Sequence, residues 1–200
     1  MRLVRLLCVG LSLLTMYGCR SAPMTYYTLT PTDRSGPSAE SGRLPLKTLL
    51  VLRSLPAGMD TSEMLIRTDD TRLRVEEGGR WAAPFGEELR AALIDGLHHQ
   101  YGIVVLDSAP HGDGPVPRID LTVRKYEVVE GSSVTLAVDW VLSNTGHEPG
   151  TALSCQAELR ETSGGTLAGV VGAGQAAVLK LSRALGAALE ASSRGSTPQC

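Results

Sequence analysis

The sequence predicts one α/β domain, a three-layer sandwich-like fold in which two long helices pack on a mixed sheet that contains an antiparallel meander. Three observations support this prediction. Residues 47–52 form a segment of strand length that ends in four consecutive apolar residues, which is typical of a strand buried on both faces. Apolar residues recur at helical spacing over 85–97, which indicates a helix. Over 134–142 and 153–159, apolar residues alternate with polar ones, which indicates strands with one buried face. An α+β fold with both helices on one face of the sheet is the alternative.

The first elements are short. Residues 26–29 are aromatic and β-branched, which favours a strand, and residues 31–45 are rich in Ser, Gly and Pro, which favours a loop. Residues 64–67 and 72–75 are predicted to pair as a hairpin, because the aspartates between them provide turn chemistry. Residues 78–79, both glycine, are expected to break the chain.

The first helix is predicted to open at Pro84, because a proline in the first turn loses no helical hydrogen bond. Glu87 and Glu88 complement the helix dipole near this end. Gly102 is expected to end the helix, and residues 103–106 follow as a short buried strand. The apolar stripe of the helix consists of Phe85, Leu89, Ala92, Leu93, Ile94 and Leu97.

Three strands and a second helix complete the domain. The apolar alternation of residues 119–123 changes phase before Tyr126, which predicts a β-bulge near Arg124 or Lys125. The two alternating segments named above then form the rest of the meander, with one face buried. Residues 177–191 carry an apolar stripe at helical spacing and are predicted to form the second helix.

The N-terminus has the pattern of a secretory signal. Arg2 and Arg5 precede an apolar run over 6–16 that is too short to span a bilayer, and Gly18 stands before Cys19. The pattern resembles a bacterial lipobox. This resemblance implies cleavage between Gly18 and Cys19 and acylation of the cysteine with fatty acids such as palmitate. An ordinary secreted protein with Cys19 just after the cleavage site is the alternative.

This interpretation divides the chain into a signal peptide at 1–18, an acylated N-terminus and tether at 19–25, a domain at 26–192 and a flexible tail at 193–200. Each buried methylene of an acyl chain contributes about 0.8 kcal/mol, so several chains together hold a protein firmly at a membrane. Arg20, rather than an aspartate, follows the cysteine. In the sorting pattern of bacterial lipoproteins this resembles an outer-membrane address, on the periplasmic face.

Composition excludes some function classes and bounds others. A net charge of −2 argues against nucleic acid as a partner, because phosphate binding requires a basic face. After the N-terminal segment, no apolar run is long enough to cross a membrane. Cys155 and Cys200 remain in the mature chain, in an oxidising compartment. A disulfide between them is one interpretation. The favoured one is a buried thiol at Cys155 and a mobile end at Cys200.

No motif predicts a catalytic, cofactor or metal site. His98 and His99 are adjacent on a helix and point about 100° apart, so they do not converge on one metal ion. Gly169, Gly172 and Gly174 lack the spacing of a phosphate-binding loop and are interpreted as a flexible strand-to-helix connection. There is no G-x-S-x-G element, and no nucleophile, base and oxyanion donor are assembled. The sequence therefore predicts a protein that is not an enzyme.

Several segments together resemble the ABC-type transport auxiliary lipoproteins, the PqiC-like family. The most specific part is the block from Arg67 to Trp81-x-x-Pro84. The segments are the aromatic start at 26–29, Ile66-Arg67, the stretch 80–85, the strand residues 124–126 and Trp140.

The resemblance implies a non-enzymatic accessory subunit of an MCE-type intermembrane lipid transport system, linked to membrane integrity. Such a subunit is anchored in the outer membrane, forms homo-oligomers and contacts an MCE-domain protein. Arg67, Trp81 and Pro84 are candidates for an interface or for a structural role. We favour a core position for Trp81. If the Arg67 guanidinium pairs with an acidic residue near the helix that follows Trp81, Arg67→Ala should lower stability rather than only binding. A periplasmic carrier that holds an acyl chain in its own pocket is the alternative function.

Overall fold

A computed structural model describes residues 23–32, 46–109, 114–146 and 152–200 of the chain. Within these ranges the chain forms eight strands and two helices. The strands are β1 Thr25–Tyr27, β2 Lys47–Ser54, β3 Glu63–Arg67, β4 Leu73–Trp81, β5 Val104–Leu106, β6 Pro117–Val129, β7 Ser133–Asn144 and β8 Leu153–Thr162, and the helices are α1 Phe85–Tyr101 and α2 Leu167–Ser193. The predicted α/β class is confirmed, with its mixed sheet, its antiparallel meander and its two long packed helices.

The sheet is organised around β6, its longest strand. One edge of β6 pairs along its length with β7, which pairs in turn with β8, and both pairings are antiparallel. The other edge is shared between two parallel partners. The first part of β6 pairs with β2, which continues to β5, and its last two residues pair with β3, which continues to β4 and β1. The sheet therefore has two branches on one side of β6.

A β-bulge lies in β6 where the sequence predicts it. The register with β7 shifts between Val123 and Lys125, so that Arg124 is the extra residue. Beyond the bulge, Tyr126 and Val128 face the same side of the sheet as Val123. The bulge falls between the part of β6 that pairs with β2 and the part that pairs with β3.

Both helices pack on one face of the sheet. This placement agrees with the α+β alternative, whereas the mixed strand order follows the α/β prediction. α1 contacts β2 and β5, α2 contacts β7 and β8, and the helices contact each other. The fully buried side chains of this core include Leu89, Leu93, Ile119, Leu121, Leu136, Trp140, Leu181 and Leu185.

The opposite face of the sheet carries paired charges. Arg53 on β2 and Asp120 on β6 approach to 2.6 Å. Arg124 on β6 and Asp139 on β7 approach to 2.7 Å. Because partly exposed ion pairs each contribute little to stability, these pairs add little to the free energy of unfolding.

Small residues let the two helices approach closely. A Cβ added at Gly96 of α1 would collide with Ser182 of α2, and one added at Gly186 of α2 would collide with the Tyr101 ring of α1. The Tyr101 hydroxyl donates to the carbonyl of Arg183 at 3.0 Å. The helix pair is therefore held by close backbone packing and by a hydrogen bond from one helix end.

The second helix is longer than predicted. α2 begins at Leu167, ten residues before the predicted start, and its N-cap Thr166 accepts a hydrogen bond from the Gly169 amide at 3.1 Å. The interpretation of Gly169, Gly172 and Gly174 as a flexible connection is wrong, because all three lie inside this helix. At Gly174 an added Cβ would lie 2.7 Å from the Tyr126 hydroxyl, so the glycine permits close packing.

The glycines at 78–79 do not break the chain as expected. β4 continues through them to Trp81 and pairs there with β1. A Cβ added at Gly79 would lie 2.8 Å from the Tyr27 ring and would also collide with Leu167. The missing side chain lets β1 and α2 approach β4.

Candidate functional site

The N-terminal segment enters the domain through β1. The predicted acylation site, Cys19, lies outside the described residues. Thr25–Tyr27 pairs in parallel with Gly79–Trp81 of β4, and the Ala82 amide donates to the Tyr27 carbonyl at 2.8 Å. The tether predicted at Cys19 therefore leads within a few residues into an edge strand of the sheet.

A buried glutamate holds the residues that follow β1. One carboxylate oxygen of Glu88, on α1, accepts a hydrogen bond from the Thr28 hydroxyl at 2.8 Å and one from the Leu29 amide at 2.9 Å. On the other side, the Gln175 side chain of α2 donates to the Thr28 carbonyl at 3.0 Å. Leu29 itself is fully buried in the core. We call this set of contacts the junction clamp, since it joins the N-terminal segment to both helices.

Trp81 is buried, as its interpretation as a core residue requires. Its ring centroid lies 6.1 Å from that of Phe85 and 6.3 Å from that of Tyr126, and the last two rings are 4.4 Å apart. Aromatic pairs at such distances add about 0.5–1.5 kcal/mol to the burial of their surfaces. This aromatic cluster joins the end of β4, the start of α1 and the part of β6 beyond the bulge.

Pro84 is the N-cap of α1. Its carbonyl accepts hydrogen bonds from the amides of Glu87 at 2.9 Å and Glu88 at 3.1 Å. The Asp60 carboxylate accepts a hydrogen bond from the Gly86 amide at 3.1 Å. This bond satisfies one of the backbone amides that the first turn of a helix leaves without a partner inside the helix. The start of the helix, and with it the position of Glu88, is thus fixed by the residues just before it and by the loop after β2.

Arg67 lies away from Trp81 and Pro84. Its Nε lies 2.6 Å from Glu127 of β6, and its Nη1 donates to the carbonyls of Asp69 and Asp70 at 3.3 Å. The acidic partner of Arg67 is thus on β6 and not on α1, because Arg67 ends β3 at the position where that strand pairs with the end of β6. Arg67 joins the hairpin turn to β6 on the charged face of the sheet.

The carboxylate of Glu127 is stabilised in its ionised form. A hydrogen bond from Lys125, and then one from Arg67, lower the pKa of Glu127 below its usual value. Because the folded-state pKa is lowered, these contacts stabilise the fold above the unfolded-state pKa of the carboxyl. Their contribution is lost as the pH falls through the folded value.

The family model for the ABC-type transport auxiliary lipoprotein component matches residues 27–186. The chain belongs to this family. It is thus an auxiliary lipoprotein component of ABC-type transport, and its place is the cell envelope.

No curated protein matches the sequence significantly. Two solved structures with less than 20% identity share the fold of this chain. A crystal structure of an uncharacterized protein is 18% identical with a TM-score of 0.62, over 82% of this chain and 96% of that one. The crystal structure of XCC0632 from Xanthomonas campestris, a protein of family DUF330, is 17% identical with a TM-score of 0.61, over 86% of this chain and 98% of that one.

A small apolar cavity in this auxiliary lipoprotein lies between the β3–β4 hairpin and the starts of both helices. Its volume is about 30 Å³, and its walls include Met64, Trp81, Phe85, Tyr126 and Leu167. The Tyr126 hydroxyl is buried without a hydrogen-bond partner among the described residues, and burial raises the pKa of this phenol. Sites for drug-sized ligands measure about 300–1,000 Å³, so this cavity is far too small for an acyl chain.

Cys155 and Cys200 are joined by a disulfide in the structure, with their Cα atoms 5.4 Å apart. This is the less favoured of the two interpretations of these residues. The bond attaches the last residue of the chain to β8, although α2 ends at Ser193 and the tail 194–200 has no regular structure. The tail that the sequence predicts as flexible is therefore fixed at its far end.

The other chemical candidates are not brought together into a site. His98 and His99 contact each other edge-on on α1, with ring centroids 5.8 Å apart. In the ranges that the structure describes, no three His, Cys, Asp or Glu side chains are placed to bind a metal ion together. No helix within those ranges has the length and apolar character that crossing a membrane requires.

Proposed function

We propose that this protein is an outer-membrane lipoprotein that serves as an accessory subunit of an MCE-type intermembrane lipid transport system. It acts by protein–protein contacts on the periplasmic face and not by catalysis, and it works as a homo-oligomer. The observation that carries the proposal is the family match over residues 27–186, which begins eight positions after Cys19. A family of auxiliary lipoproteins requires an acylated cysteine ahead of its domain, and Cys19 follows a signal pattern at that place.

The junction clamp supports a docking role. A subunit that positions a partner needs a fixed orientation relative to its anchor, and a long flexible linker would remove that orientation. Here β1 enters the sheet six residues after Cys19, and Glu88 and Gln175 hold the residues that follow it. A movement of β1 is thereby transmitted to both helices.

The acylation part of the proposal is tested by metabolic labelling with radioactive palmitate, followed by fractionation of the envelope. We expect label in the parent protein and none in Cys19→Ala, with the parent in the outer-membrane fraction. The matched control is Cys200→Ala, which keeps Cys19 and should be labelled like the parent. Equal labelling of Cys19→Ala, or an unlabelled parent recovered free in the periplasm, would contradict the proposal.

The partner part is tested by co-purification with the tagged, acylated protein from detergent-solubilised envelopes. We expect an MCE-domain protein to be recovered, and we expect its recovery to fall for Cys19→Ala. Recovery of peptidoglycan or of a β-barrel protein, in place of an MCE-domain protein, would contradict this part.

The alternative function, a periplasmic carrier with its own acyl-chain pocket, would require an apolar space between helices and sheet. The cavity at that position measures only about 30 Å³, far below the roughly 300–1,000 Å³ of sites for drug-sized ligands. Native mass spectrometry of Cys19→Ala tests the alternative directly, since a carrier would retain lipid of added mass. We expect the mass of the polypeptide alone.

A further inference from the structure

In the described part of the chain, the large apolar side chains that are exposed lie on one branch of the sheet. Within the described ranges, four large apolar residues are exposed, and all belong to β4 or to the segment that forms β1. They are Met24 at 39%, Tyr26 at 66%, Leu73 at 54% and Val75 at 42% of their accessible surface. This branch is also the one that receives the predicted tether.

The Tyr26 side chain faces away from the core. Because side chains alternate along a strand, Tyr26 points opposite to Tyr27, which packs against the core. In the register of the sheet, Tyr26 lies beside Arg80 of β4, whose guanidinium is 3.8 Å from the carboxylate of Glu63 on β3. Tyr26 is therefore an aromatic side chain with a polar tip, next to an arginine, on the sheet face that the helices leave uncovered.

The length of the tether limits how far this surface can lie from the anchor. A fully extended chain spans at most about 3.6 Å per residue, so Met24 lies within about 18 Å of Cys19 and Tyr26 within about 25 Å. The junction clamp fixes the residues directly after β1 to both helices. The β1 edge therefore cannot swing away from the anchoring leaflet independently of the domain.

We propose that the β1 edge of the sheet rests on the lipid leaflet that holds the anchor, with Met24 and Tyr26 in the headgroup layer. This inference depends on the acylation of Cys19 in the proposed function. Tyrosine is favoured at membrane interfaces, because its ring is apolar and its hydroxyl remains hydrated. In this position the Arg80 guanidinium reaches the phosphate groups of the lipids, and arginine pairs well with phosphate oxygens. The tether raises the local concentration of this surface at the leaflet, so a weak contact is sufficient.

The test uses the purified, acylated protein in vesicles of phosphatidylethanolamine and phosphatidylglycerol, with and without a lipid that carries a nitroxide on its headgroup. Tyr26→Trp reports on the β1 edge. Gln156→Trp is the matched control, because Gln156 is exposed on the same sheet face but on β8. The two strands are five positions apart in the sheet, or about 24 Å at 4.8 Å per strand. The native tryptophans, Trp81 and Trp140, are buried and give a common background.

We expect nitroxide lipid to reduce the emission of Tyr26→Trp and to leave that of Gln156→Trp unchanged. We also expect acrylamide to quench Tyr26→Trp less when the protein is bound to vesicles than when it is in detergent. Equal emission of Tyr26→Trp in plain and nitroxide vesicles would overturn the inference. That failure differs from a failure of the anchor, which would appear earlier as protein that does not float with the vesicles in a density gradient.

Discussion

The junction clamp makes the stability of the domain sensitive to one carboxylate. Replacing Glu88 with alanine removes the acceptor for both the Thr28 hydroxyl and the Leu29 amide. Thr28 is exposed, so its hydroxyl can turn to water and the loss there is small. Leu29 is fully buried, so its amide would remain without an acceptor. The main cost of the substitution therefore comes from this one backbone group.

The magnitude follows from the burial of that amide. A buried donor left unsatisfied costs about 1–3 kcal/mol, and a hydrogen bond to a charged group contributes about 1.5–3 kcal/mol. We expect Glu88→Ala to lower the free energy of unfolding by about 2–4 kcal/mol. For a domain of this size, each kcal/mol shifts the melting temperature by about 2–4 °C, so a decrease of roughly 5–15 °C is expected. Glu88→Gln keeps an acceptor oxygen and should lose about half as much or less.

The assay is thermal unfolding followed by circular dichroism, with hydrogen exchange at the Leu29 amide as a local measurement. The matched control is Glu87→Ala, because Glu87 is the preceding residue of the same helix turn but is exposed. Loss of its interaction with the helix dipole should cost only about 0.3–1 kcal/mol. If Glu88→Ala melted at the same temperature as Glu87→Ala, with unchanged exchange at Leu29, the reasoning would be refuted.

Three further predictions concern packing, charge and the disulfide. Gly186→Ala should lower the free energy of unfolding by about 1–3 kcal/mol, because the added Cβ would collide with a ring on α1. Gly172→Ala should raise it by up to about 1 kcal/mol, because nothing lies within 4 Å of the added Cβ and alanine favours the helix. Urea unfolding measures both changes. Arg67→Ala should melt below the parent at neutral pH, and the difference should shrink in acid, as protonation of Glu127 removes the charge that Arg67 stabilises; a difference independent of pH would contradict this. Cys200→Ser should lose up to about 4 kcal/mol, the loop-closure value for a sequence separation of 45 residues, and a reductant should then no longer change the melting temperature.

Local chemistry explains which parts of the fold the sequence predicts well. The first helix begins after Pro84 and ends at Gly102, whose φ of 64° is a left-handed conformation that glycine adopts without strain. The bulge at Arg124 is visible in the sequence because an extra residue reverses the phase of alternation. In each case the residues that determine the feature lie within a few positions of it.

Contacts between segments that are distant in the chain explain why the predictions at three glycines are wrong. Gly174 lowers the local helix propensity, but α2 continues through it because the residue lies against Tyr126 and Leu29, where a side chain would collide. Gly78 and Gly79 likewise lie inside a strand that another strand and a helix approach closely. Composition alone does not distinguish a glycine needed for a turn from one needed for close packing.

The sequence contains a signal for the burial of Glu88 in the junction clamp. Glu88 stands three residues after Phe85 and four before Ala92, and therefore falls on the apolar stripe of α1, whereas Glu87 falls beside it. A glutamate on a buried helix face requires hydrogen-bond donors, so its burial and the need for a partner could be predicted. Its partners could not, because Thr28 and Leu29 lie 60 and 59 residues away in the chain.

The bulge in β6 links the sequence pattern to the position of the tether. If β6 ran through Arg124 as a regular strand without the bulge, its alternation would place Tyr126 on the charged face after Val123, since a shift by one residue turns every later side chain over. With it, Tyr126 contacts Trp81 and Phe85 on the core side. Trp81 ends β4, the only strand in the described ranges that pairs with β1. The phase change therefore helps to hold the strand that continues from the tether, and a substitution that removed the bulge should loosen the β1 branch before it unfolds the meander.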